Sequence, residues 1–87
     1  MTKDQIQSFF RNANLKKKMV KIDFKTRSSI NGLFIDTKDA DELNAKNFWR
    51  IVNESKLEEY ELASDYSLGR IYNGAEITKL SQIKVKN

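Results

Sequence analysis

A glycine inside a strand whose two faces are both apolar narrows the folds open to this chain more than any other feature. In FKTRSSINGLFID, residues 24–36, a polar turn separates two extended segments, and Gly32 lies within the second. Ile30, Gly32 and Phe34 fall on one face of that segment and Leu33 and Ile35 on the other, so the strand needs cover on both sides. A glycine there packs nothing and weakens the strand unless it marks a bend, a bulge or a close approach. With 87 residues the chain has room for one small core. A sheet of that size covers both faces of a strand by bending sharply and closing on itself, and Gly32 is where the bend belongs.

The surrounding pattern supplies the other elements. Thr2 and Gln5 have the spacing of a capping box, and Ile6, Phe9, Phe10 and Ala13 then follow at i, i+3, i+4 and i+7. This predicts an amphipathic helix over residues 3–13, with Lys16, Lys17 and Lys18 as a basic connector behind it. From Met19 the period becomes two, Val20, Ile22 and Phe24 alternating with Lys21, Asp23 and Lys25, as in a half-buried strand. Residues 30–36 form the second strand. A polar, acidic loop follows over residues 37–47, in which Ala40 to Ala45 can make one helical turn, and FWRIVN, residues 48–53, reads as the third strand. Ser55 and Glu58 have the spacing of a second capping box, so a short helix is preferred between strands three and four, with Leu57, Tyr60 and Leu62 toward the core. Residues 68–72 and 76–83 are the last two strands, and Asn73-Gly74 between them is the strongest short hairpin signal. The predicted architecture is thus mainly β with an N-terminal α-helix: a small, strongly bent five-stranded antiparallel barrel, in one domain spanning residues 1–87.

The chain has no Cys and no His. That removes thiolate nucleophiles, disulfides, the usual zinc ligands and the commonest general base, so an enzyme is not expected and neither is a cofactor. Asp39, Asp41 and Glu42 are close in sequence, but the loop lacks the glycine and terminal Glu of a calcium site, and a solvated acidic loop is the better reading. The opening residues have no signal-peptide pattern, and no apolar run approaches the roughly 20 residues of a membrane span. A soluble, cytoplasmic protein with no membrane partner is expected. Charge is unevenly spread: +6 over residues 1–27, −5 over residues 28–65 and +3 over residues 66–87. Basic ends can steer a polyanion, and they can equally set one subunit's basic edge against another's acidic edge.

In FKTRSSINGLFID the order and spacing of Phe24, Ile30, Gly32 and Asp36 resemble the first signature of the Sm-like family, which includes the bacterial Hfq-type proteins. In RIYNGAEITKL, residues 70–80, Tyr72, Asn73 and Gly74 followed by Ile77 resemble the second. The likeness covers about residues 3–36 and 47–82. It implies an N-terminal helix before a bent five-stranded barrel, assembly into a homo-oligomeric ring, and single-stranded RNA held by the loops after strands two and four. Carried over by position, the implied contacts are Asp36, Asn47, Asn73 and Gly74. Phe48 adds a ring for stacking, and Lys16, Lys17 and Lys18 a phosphate-facing patch. Asn73 stands where the family usually has Arg or Lys, the segment between Asp36 and Asn47 is longer than the compact family loop, and residues 54–65 look like an insertion. Two readings therefore stand side by side. One is an oligomeric RNA-binding module; the other is an assembly or protein-interaction module with the same small barrel and no nucleic acid.

Overall fold

The computed structural model describes residues 1–13 and 19–83. Helix α1 spans Lys3–Ala13, and its first turn is closed by the reciprocal bonds of a capping box. The Thr2 amide donates to Gln5 Oε1 at 2.9 Å and the Gln5 amide to Thr2 Oγ1 at 3.2 Å. The helix seats the stripe that its periodicity defines: Ile6 is fully buried and Phe9 and Phe10 pack against the core. Phe10 meets Phe34 edge to face at 4.8 Å.

Five strands follow, β1 (Met19–Phe24), β2 (Ile30–Phe34), β3 (Phe48–Asn53), β4 (Arg70–Asn73) and β5 (Ile77–Gln82). They form one antiparallel sheet in the order β4-β3-β2-β1-β5. The predicted barrel is therefore an open sheet among the described residues, with β4 and β5 as its two edges, and the predicted β4–β5 hairpin does not form. Asn73 has φ −81°, and Gly74–Glu76 make a 3₁₀ turn rather than a two-residue hairpin turn. The Asn73 side chain caps that turn by accepting from the Ala75 amide at 2.9 Å. A local preference for positive φ has given way to a local cap.

The open sheet is nevertheless tightly curled. Side by side, strands lie about 4.8 Å apart, so the two edges of a flat five-stranded sheet would be roughly 19 Å apart. The four Cα steps from Asn73 to Ile77 reach at most about 15 Å, and only a curled sheet brings its edges within that span. Phe24 on β1 and Tyr72 on β4 are three strands apart, roughly 14 Å if flat, yet their ring centroids are 5.5 Å apart across the concave side. A shift of register at Asp23–Phe24, where β1 pairs with β5, adds to the bend.

Gly32 sits at the point of closest approach. It is buried, and a Cβ built on it would stand 2.6 Å from Ile51 Cγ2 and 3.2 Å from Ile22 Cδ1. Its φ is not positive. The residue is thus required by the crowding that curvature creates on the concave side, and not by a special backbone conformation. Val20, Ile22, Phe34, Trp49, Ile51, Ile77 and Leu80 fill that side together with Ile6.

Between β2 and β3 lies α2 (Ala40–Ala45), the expected helical turn. Between β3 and β4 a 3₁₀ turn (Glu54–Lys56) leads into α3 (Leu57–Ala63), and a second 3₁₀ turn covers Tyr66–Leu68. The Ser55–Glu58 capping box is not the device that starts this segment. Asn53 caps it instead, its Oδ1 accepting from the Ser55 amide at 3.0 Å, so the helical turn begins earlier than the box requires. Leu62, expected toward the core, is 82% exposed, while Tyr60 packs edge to face on Tyr66 at 5.9 Å. Among the described residues no helix is long and apolar enough to cross a membrane.

Candidate functional site

Asn47 is the centre of a junction that joins four parts of the chain. It closes the loop after α2 with φ 62°, a left-handed conformation that Asn tolerates better than most residues. Its side-chain Oδ1 accepts from Trp49 Nε1 at 2.8 Å, and its Nδ2 donates to the Met1 carbonyl at 3.0 Å. Its backbone carbonyl accepts from the Gly74 amide at 2.8 Å. The Met1 amino group donates to the Gly74 carbonyl at 2.8 Å and also to that of Ile77. Gly74 is buried, and any Cβ there would overlap the Asn47 side-chain amide. Its glycine is explained by this close approach.

The loops after β2 and β4 thus meet. Phe48 pairs with Asn73 across β3 and β4, so Asn47, Phe48, Asn73 and Gly74 form one cluster. Within β3 it is Trp49, 7% exposed, that enters the core, leaving Phe48 half-buried on the opposite face. Asp36 does not join them. It lies on the rim of a different cleft with Thr37, Lys38, Asp39, Arg50, Tyr66 and Ser67. Lys16, Lys17 and Lys18 fall outside the described residues.

That second cleft, on the convex side of the sheet, is built round an ion pair. Arg50 donates to Asp39 Oδ2 at 2.8 Å, and Thr37 donates its hydroxyl to the other oxygen of the same carboxylate. The Thr37 hydroxyl first, and the Arg50 guanidinium with it, hold the Asp39 carboxyl below its ordinary value. Asp39 therefore serves Arg50 rather than an acidic loop, and among the described residues no group of three carboxylates is placed to hold a metal ion.

A third cluster was not singled out by the sequence pattern. Arg27, on the turn after β1, sets its guanidinium carbon 5.5 Å from the Phe24 ring centre and 5.8 Å from that of Tyr72. Arg70, Asn73 and Glu76 complete a cleft of about 390 Å³ around these rings. Phe24 and Tyr72 are far apart in the chain, so the pair has no local signature; a basic residue three positions after an inward-facing aromatic is its only trace in the sequence.

Compared with family models, curated proteins and solved structures, the chain matches none of them.

Proposed function

We propose that this chain is a divergent Sm-like small-barrel subunit that assembles edge to edge with copies of itself and binds single-stranded RNA. The observation that carries this reading is the strand order β4-β3-β2-β1-β5 in a sheet curled tightly enough for a 3₁₀ turn of three residues to join its two edges. The sheet then presents β4 and β5 outward, each with backbone groups that a neighbouring copy can pair. An oligomer built this way repeats the loops after β2 and β4 around its axis. The meeting of Asn47, Phe48, Asn73 and Gly74 supports this placement of the loops.

One observation favours the second reading, an assembly module without nucleic acid. Both ends of the Asn47 amide are bonded within the chain, to Trp49 and to Met1, so the residue whose position matches a base contact acts as a latch. Size-exclusion chromatography with light scattering, together with the absorbance ratio at 260 and 280 nm and a salt titration of RNA affinity, separates the two. RNA binding that falls steeply with salt supports the RNA reading. An oligomer that ignores RNA supports the assembly reading, and a monomer at tens of micromolar overturns both.

A further inference from the structure

We propose that the cleft lined by Phe24, Arg27, Arg70, Tyr72, Asn73 and Glu76 takes a nucleobase together with its neighbouring phosphate. This inference rests on the RNA reading above and locates a contact beside the Asn47 junction, with which it shares Asn73. The register Trp49↔Tyr72 and Ile51↔Arg70 puts Tyr72 and Arg70 on the concave side, as Trp49 and Ile51 are core residues. Phe24 reaches the same side from β1, and the two rings, with centroids 5.5 Å apart and planes tilted by 30°, give the cleft an aromatic wall.

A planar cation already lies against this wall. Arg27 is within cation–π distance of both rings. A surface that accepts a guanidinium plane also accepts the face of a base, and stacking of this kind tolerates any base because each has a π face. Arg27 is exposed on its turn, so an entering base displaces the guanidinium only as far as the mouth of the cleft, where it meets the phosphate. Arg70 is exposed beside it. Among the described residues neither guanidinium has a carboxylate within ion-pairing distance, so no internal salt bridge must break first.

Of the remaining polar groups, Glu76 orients the ligand. Asn73 pairs with Phe48 and so belongs to the other face of β4; it borders the cleft at the strand end, with its Oδ1 committed to the Ala75 amide. The Glu76 carboxylate repels phosphate and accepts from base N–H groups, so the base edge points toward Glu76 and the phosphate toward Arg27 and Arg70. The volume is at the lower end for small-ligand sites and suits one nucleotide unit.

The test is fluorescence anisotropy with labelled hexauridylate and hexa-adenylate between 50 and 200 mM salt, with AMP and UMP as competitors. The variants are Arg27→Gln, Arg70→Gln, Tyr72→Phe and Tyr72→Leu, each checked for oligomeric state and melting. Wild-type affinity should fall with salt, and each Arg→Gln change should reduce the slope of log affinity against log salt by about 0.7. Tyr72→Phe should bind like wild type, and Tyr72→Leu at least about fivefold more weakly. Displacement by millimolar AMP or UMP with no oligonucleotide binding would assign the cleft to free nucleotides and overturn RNA as the source. Wild-type RNA affinity in both Arg→Gln variants would overturn the cleft while leaving the RNA reading intact. Absence of any binding by the wild-type protein would overturn both. Arg27 and Arg70 are exposed, so their variants report even if Tyr72→Leu fails to fold.

Discussion

Replacing Gly32 with Ala isolates the part of the fold that depends on curvature. The added methyl meets Ile51 Cγ2 at 2.6 Å, Ile22 Cδ1 at 3.2 Å and the Val52 carbonyl at 3.4 Å. Ile22 and Ile51 are fully buried, so neither can yield without moving the core. Overpacking of this kind costs about 1–3 kcal/mol. Against it stands the smaller entropy of an alanine-containing unfolded chain, about 0.4–1 kcal/mol in favour of the variant, since the backbone here is not left-handed. The net expectation is a loss of about 1–2 kcal/mol, or roughly 4–16 °C in melting temperature for a domain of this size. Gly32→Val should lose more. Urea unfolding followed by the fluorescence of Trp49, the single tryptophan and a core residue, gives the number directly. The cause is checked by a double-mutant cycle with Ile51→Ala, which removes the closest atom: in that background Gly32→Ala should cost almost nothing or stabilise. If Gly32→Ala matches wild type, or costs the same with Ile51 truncated, close approach across the concave side is not the reason for the glycine.

At the ion pair on the convex side, Asp39→Asn should lower the melting temperature at neutral pH. Because the folded-state value of the Asp39 carboxyl lies below its unfolded value of about 3.9, its contribution is full above that value and is lost as pH falls through the folded one. The gap between wild type and variant should therefore hold from pH 7 to 5 and close toward pH 2, and a pH-independent gap would remove the carboxylate from the account. At the junction, Asn47→Gly keeps the left-handed backbone but leaves Trp49 Nε1 without its acceptor, at about 1–3 kcal/mol. Asn47→Ala adds backbone strain of about 1 kcal/mol or more, so urea midpoints should fall in the order wild type, Gly, Ala. Thr2→Ala should cost about 1 kcal/mol through the lost cap, and an unchanged midpoint would mean that the first turn is held by α1 packing alone.

What the sequence makes legible is what its local signals determine. The helix over Lys3–Ala13 follows from a 3.6-residue stripe and a capping box three residues wide, and β3 over Phe48–Asn53 from alternation about Trp49 and Ile51. Errors arise where a local signal competes with a distant contact. Asn73-Gly74 reads as a hairpin turn, but Gly74 is there to admit Asn47, and the strands flanking it lie on opposite edges of the sheet. Leu62 reads as apolar and hence inward, yet α3 is too short and too far outside the concave core to bury it. The meeting of the loops that carry Asn47 and Asn73 depends on the long-range bond from the Gly74 amide to the Asn47 carbonyl, for which neither loop carries a local signal. The stacked trio of Arg27, Phe24 and Tyr72 is not legible either, because only the curl of the sheet brings β1 and β4 face to face.

Two carboxylates of the acidic middle of the chain, Asp39 and Glu54, are held on the side of the sheet away from the concave core. Asn31 alternates with Gly32 and so points away from the concave side, and it is Asn31 Nδ2 that donates to Glu54 Oε2 at 3.0 Å. Arg50 lies between Trp49 and Ile51 in β3 and likewise points outward, carrying Asp39 with it. Two of the carboxylates of the acidic segment are therefore anchored on the convex side. One of them has its charge matched by a guanidinium. Arg27 and Arg70 stand on the concave rim, with the layer of the sheet between them and those anchors. At physiological salt, exposed charges more than about 8 Å apart are largely screened from each other, so a phosphate bound as proposed would respond first to the two arginines and to Glu76, which line the cleft. For the proposed RNA contact, the charges that line the cleft, and not the tally along the chain, set the field that a phosphate would meet.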